Sequence, residues 1–263
     1  GYNGYGQLGL ASQANIGDDE TPAEAELVFL GADAAAIAAG ENHSCALSKA
    51  GKLRCWGRND RGQLGRGDTT TIGDNEAPAN AMDTSVVPPA LEGVGVAQIA
   101  LGRDHSCALL GSGDVLCWGR GDQGQLGQGN GFDWGSLPGQ DPSALPPISL
   151  GTAATAIAAG GDHSCALLAT GEVRCWGRND VGQLGLGTPG NVGALQVPSA
   201  VPAVELGGHA IMVRVGEAHS CAVLDDYRVL CWGYNADGRL GYAHTVAIGD
   251  NETPASAGPI DLL

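Results

Sequence analysis

At 263 residues the chain is long enough to bury a sizeable core, and no low-complexity linker divides it. Its 44 glycines and 13 prolines, with aromatics at only 5 %, point to short strands joined by many turns, and no apolar run approaches the roughly 18 residues of a membrane span. The formal net charge of -16 opposes a phosphate-reading surface, so nucleic acid is not an expected partner.

The chain opens with GYNGYGQLG (Gly1 to Gly9) and continues to IGDDETP at Ile16. Both runs return near the other end, as GYNADGRLG from Gly233 and IGDNETP from Ile248, so the sequence begins part-way through a repeat. Next comes ADAAAIAAG (Ala32 to Gly40). It is brief and ends in Gly, and it is predicted to be a buried strand despite alanine's helix propensity. GVGVAQIALG (Gly93 to Gly102) and TAATAIAAG (Thr152 to Gly160) are read in the same way.

A hairpin unit follows each of these strands. HSCALSKAGKLRCWGRNDRGQLG starts at His43, HSCALLGSGDVLCWGRGDQGQLG at His105 and HSCALLATGEVRCWGRNDVGQLG at His163, while HSCAVLDDYRVLCWGYNADGRLG starts at His219. All eight cysteines fall in these units, ten positions apart in each. An antiparallel pairing that brings Cys165 opposite Cys175 centres on Thr170 and requires an odd loop. Ala169-Thr170-Gly171 fits the three-residue hairpin in which the third residue is left-handed, usually Gly. Leu168 and Glu172 then close the turn, Leu167 faces Val173, and the cysteines land on a non-hydrogen-bonded site with Cα atoms about 4.5 Å apart. Gly51 and Gly113 hold the turn position in the first two units, whereas Tyr227 holds it in the fourth.

This register predicts four disulfides, Cys45–Cys55, Cys107–Cys117, Cys165–Cys175 and Cys221–Cys231, and with them an oxidising compartment, secreted or at the cell surface. No secretory leader is visible, as expected of a mature or trimmed chain. Free buried thiols and metal ligation are the competing readings. His43, Cys45 and Cys55 share a strand face and offer three N/S ligands, but the spacing lacks the usual short zinc knuckle. The His and Ser of each HSC run point to opposite faces, so they do not form a nucleophile–base pair with each other.

The loops after each GQLG carry the sequence variation. Three contain an acidic turn before a proline: Asp18, Asp19 and Glu20; Asp74, Asn75 and Glu76; Asp250, Asn251 and Glu252. Their carboxylates are calcium candidates, although calcium takes 6–8 oxygens and a solvated turn is the plainer reading. No other cofactor is expected. The second loop, GQGNGFDWGSLPGQDPSALPP (Gly127 to Pro147), carries Phe132, Asp133 and Trp134 instead, with the one tryptophan outside the CWG series. Aromatics of this kind are enriched at binding surfaces, which makes these three residues the partner-binding candidates. Local packing against their own repeat is the competing reading.

Trp56, Trp118, Trp176 and Trp232 recur at intervals of roughly 60 residues, which marks one repeat domain over 1–263. It divides into a partial repeat at 1–31 and repeats at about 32–92, 93–150, 151–206 and 207–263. The unit, with HSCAL, CWG and GQLG at fixed spacing, resembles the repeat of the regulator of chromosome condensation family, and its cysteine pairs resemble the secreted bacterial versions. The resemblance implies an all-β fold, a β-propeller of four-stranded blades in a ring ordinarily of seven, of which this chain supplies four full repeats and a partial one. The family's best-known member exchanges guanine nucleotide on a small GTPase and contacts chromatin through particular loops and a basic tail, and this sequence shows no such tail. The expected function is therefore a non-enzymatic, disulfide-stabilised module that binds a protein or other macromolecule. An architectural unit that assembles with further blades or copies is the alternative, and nucleotide exchange or other catalysis ranks below both.

Overall fold

The computed structural model describes residues 1–261. Among them twelve strands form four three-stranded antiparallel sheets, each in chain order. The first holds β1 (Ala34–Ala39), β2 (His43–Ser48) and β3 (Leu53–Gly57), and the second β4 (Val96–Leu101), β5 (His105–Leu110) and β6 (Val115–Gly119). The third holds β7 (Ala154–Ala159), β8 (His163–Leu168) and β9 (Val173–Gly177), and the fourth β10 (Ala210–Val215), β11 (His219–Leu224) and β12 (Val229–Gly233). The longest helical segment of the described residues is a single turn, Pro254–Ala257, and no helix is long and apolar enough to cross a membrane.

The hairpins have the register that the cysteine spacing implies. Leu167 pairs with Val173, Cys165 with Cys175 and Ser164 with Trp176. The turn closes through Leu168 N–H to Glu172 O (2.8 Å) and Gly171 N–H to Leu168 O (2.9 Å). Gly171 is left-handed at φ +82°, and Tyr227 takes the same conformation at φ +69°. Disulfides join Cys45 to Cys55, Cys165 to Cys175 and Cys221 to Cys231, with Cα atoms 4.0–4.1 Å apart. Cys107 and Cys117 are disulfide-bonded as well, and no cysteine is free.

Two expectations need correction. Each sheet has three strands, not four. The place of a fourth is held by isolated antiparallel bridges, Gly57 to Ile72, Gly119 to Trp134, Gly177 to Val192 and Gly233 to Ile248. The residue after each of these bridges is a left-handed glycine, where the chain leaves the sheet edge; in the first sheet it returns for a second isolated bridge, Leu53 to Thr84. The alanine-rich strands do form, but β1 is not buried. Ile37 is 76 % exposed, whereas its counterparts Ile99, Ile157 and Val213 are 8 %, 3 % and 0 % exposed. Burial at this position comes from the preceding sheet: β4 packs on β1 and β2, and β10 packs on β7 and β8.

The described chain divides into two compact units. One comprises Gly1–Gly111, Trp118–Arg120 and Asp133–Pro146; the other comprises Ser112–Cys117, Gly121–Phe132 and the chain from Pro147 onward.

Candidate functional site

Within each unit successive repeats are tied by one recurring set of hydrogen bonds. The CWG indole N–H donates to the backbone carbonyl of the glutamine in the preceding GQLG turn: Trp56 to Gln7 (2.9 Å), Trp118 to Gln63 (3.0 Å), Trp176 to Gln125 (2.9 Å) and Trp232 to Gln183 (3.0 Å). The HSC serine donates to the same carbonyl, as from Ser106 to Gln63 (2.8 Å) and from Ser220 to Gln183 (3.0 Å). These two serines also meet the histidine of the preceding hairpin, His43 Nε2 to Ser106 Oγ and His163 Nε2 to Ser220 Oγ, both at 2.9 Å. Because each serine gives its proton to a carbonyl, it accepts from the ring, which assigns the neutral tautomer protonated on Nε2. Burial holds His43 down to about 4, and burial with the nearby His219 holds His163 down to about 3.

Histidine and serine therefore do pair, but between copies and not within one. The dyad is nevertheless unfit for nucleophilic attack: Ser106, Ser220, His43 and His163 are all buried, and the hydroxyl proton is committed to a main-chain oxygen. Sequence reading missed this pairing because the partners lie 57 to 63 positions apart. The asparagine of the RND runs is likewise internal. Asn59 Oδ1 accepts Leu64 N–H (3.0 Å) while its amide donates to Asp68 O (2.9 Å), tying the GQLG turn to the loop after it. Asn3, Asn179 and Asn235 do the same.

The variable loops hang from this framework. In the second loop Trp134 occupies the bridge position held by Ile72, Val192 and Ile248 elsewhere, exchanging hydrogen bonds with Gly119 (2.7 and 2.9 Å). Its ring is half-buried and the indole N–H donates to Asp141 O at 3.2 Å. Asp133 pairs with Arg61 at 3.1 Å. Phe132 alone of the three is open, 75 % exposed, its backbone N–H held by Asn130 Oδ1 (3.1 Å). Gly121 stands where the other copies have the tying asparagine, and a Cβ there would lie 2.1 Å from Phe132 O. Beside the third loop lies a cleft of about 400 Å³ lined by Leu186, Thr188, Pro189, Asn191, Gln196 and Glu205 among others.

The acidic turns differ from one another. Asp18, Asp19 and Glu20 bring one carboxylate oxygen each within 4.8 Å, and Glu20 is raised above its ordinary value, first by its hydrogen bond with Asp19. Asp74, Glu76, Asp250 and Glu252 form no such cluster among the described residues. Glu76 instead accepts Gly73 N–H at 3.3 Å, and Asp74 accepts Gln13 Nε2 at 3.5 Å. Three exposed or half-exposed carboxylates fall well short of the 6–8 oxygens of a calcium shell.

The sequence profile of the RCC1-like domain matches residues 1–261. The chain belongs to the RCC1-like domain family. Its repeats are accordingly RCC1-like propeller blades. It is 37 % identical over 207 residues to the ultraviolet-B receptor UVR8 of Arabidopsis thaliana, an alignment covering 78 % of this chain and 42 % of that protein. Over 245 residues it is 33 % identical to the probable E3 ubiquitin-protein ligase HERC6 of Homo sapiens, covering 93 % of this chain but 22 % of that protein. The chain thus spans less than half the length of either relative. Among solved structures, Prp20p of Saccharomyces cerevisiae superposes with a TM-score of 0.67 at 21 % identity, covering 94 % of this chain and 57 % of that one. Human WBSCR16 also gives 0.67, at 20 % identity, covering 95 % and 60 %. Both likenesses concern the RCC1-like fold.

Proposed function

We propose that this RCC1-like chain is a non-enzymatic module that binds a protein through its post-GQLG loops, and that it works outside the cytoplasm. The observation that carries the binding reading is the contrast within the second loop. Trp134 is fixed by a two-hydrogen-bond bridge, so the neighbouring Phe132 is displayed on an anchored backbone, and a large aromatic presented this way costs little ordering entropy on binding. RCC1-like relatives support the class of partner. The Prp20p structure is described with binding properties to Gsp1p and histones, and yeast RCC1 has been solved bound to Kap60. Those partners belong to those proteins. With a net charge of -16, this chain would favour a partner of opposite charge.

Phe132→Ala tests the loop. It removes the exposed ring without touching the bridge, and it should weaken capture of a partner identified by cross-linking about tenfold or more while leaving thermal stability unchanged. Equal capture by the variant and the parent would reject Phe132 as a contact. The extracytoplasmic assignment rests on the cysteines, none of which is free. Protein prepared without reductant should titrate no thiol until reduced, and the secretory-route product should match it in partner capture. The secreted bacterial branch of the family is the version of this proposal that the cysteine pairs favour. No cofactor enters into it.

A further inference from the structure

The residue that follows the GxLG turn differs in every full repeat: Arg66, Gln128, Leu186 and Tyr242. In the fourth repeat Tyr242 reaches back to the edge of its own sheet, where its hydroxyl accepts Cys231 N–H (3.3 Å) and donates to Gly258 O (2.9 Å). Arg66 is folded in as well, its side chain only 12 % exposed. Leu186 is shorter than either and has no polar group, and the cleft of about 400 Å³ opens beside it.

The third repeat keeps what Tyr242 binds in the fourth. Val204 N–H to Val173 O and Ile260 N–H to Val229 O, both 2.8 Å, bring the returning chain to the sheet edge in the same register. Pro202 therefore stands where Gly258 does, and it lines the cleft. Cys175 is the counterpart of Cys231. It faces Cys165 at a non-hydrogen-bonded site, so its N–H points away from β8, toward the edge on which Val173 meets Val204 and Gly177 meets Val192.

We propose that this cleft is a receptor for a tyrosine side chain of the partner protein, a reading that rests on the protein-binding function above. The ring would lie between Leu186 and Pro202, against Pro189. Its hydroxyl would accept Cys175 N–H and donate to Pro202 O, as Tyr242 does with Cys231 and Gly258. The fourth repeat thus carries, within the chain, the pattern of the occupant that the third lacks. Phenylalanine fits the same space but leaves both main-chain groups unpaired, so the hydroxyl sets the specificity. Glu205, exposed on the rim, adds a preference for a basic residue beside that tyrosine.

N-acetyltyrosinamide is the probe. Titrated into the full chain, it should shift the methyl resonances of Leu186 and Val192, and N-acetylphenylalaninamide should need about tenfold more for the same shift. Leu186→Tyr should fill the cleft from within, so the variant should melt no lower than the parent and its Val192 should no longer respond. Tyr242→Leu, the reverse change, should open a second site and bring Ile248, which holds the Val192 position, into the response. With a cross-linked partner in hand, Leu186→Tyr should weaken capture about tenfold. An equal response to the two amides, or a Val192 shift that survives in Leu186→Tyr, would overturn the proposal. So would full capture by Leu186→Tyr where Phe132→Ala loses it, an outcome that leaves the loop reading intact. Loss of capture in Leu186→Tyr alone would support the cleft and reject Phe132 instead.

Discussion

Tyr227 shows how far the framework tolerates a residue that local preference disfavours. Its φ of +69° is the left-handed conformation that Gly171 supplies at φ +82° in the third repeat, and a side chain there costs roughly 1–2 kcal/mol. The disulfide between Cys221 and Cys231 and the pairing of Val223 with Val229 over-determine the turn, so it closes regardless. The ring lies 81 % exposed and packs little. Tyr227→Gly should therefore stabilise the protein by about 0.5–1 kcal/mol, the strain relieved less the extra freedom gained by the unfolded chain. The urea midpoint should rise with no change in slope, and a fall would show that the tyrosine makes contacts outweighing its strain.

At the scale of the element, the strands carry their own pH response. His43 and His163 sit neutral in the folded seams, at about 4 and about 3, because burial opposes charging them. In the unfolded chain a histidine titrates near 6.5, so between these values the unfolded state binds more protons than the folded one. Their contribution is fully present above about pH 6.5 and is lost as pH falls toward about 4 for His43 and about 3 for His163, on the order of 3 kcal/mol or more for each. The urea midpoint should fall steadily from pH 7 to pH 4. Replacing both rings by glutamine, which keeps a donor for each serine, should flatten that slope. A slope unchanged in the double variant would assign acid sensitivity to the carboxylates instead.

For the whole molecule, stability derives from repetition: hairpins cross-linked internally and seams that share one carbonyl acceptor. None of these seam bonds calls for a metal. Millimolar calcium or excess chelator should leave the melting temperature unchanged within about 1 °C, whereas an upward shift with calcium, lost in Asp19→Asn, would make the Asp18–Asp19–Glu20 turn a genuine site. Strand positions, hairpin register and cysteine pairing were legible in the sequence because they depend on contacts within about ten residues and on a side-chain period of two. The repeat length and the family were legible because the same unit recurs along the chain. Other features depend on residues brought together by packing. The His43–Ser106 and His163–Ser220 pairs, the sharing of Gln63 O by Trp118 and Ser106, and the burial of Ile99 against the exposure of Ile37 have no local signature. Each is set by whether a neighbouring repeat lies against that face. The second loop divides in the same way. Composition singled out Phe132 and Trp134 together, but only the bridge to Gly119 separates an anchoring ring from a displayed one, because hydrogen-bond register across 15 positions is a property of the folded sheet.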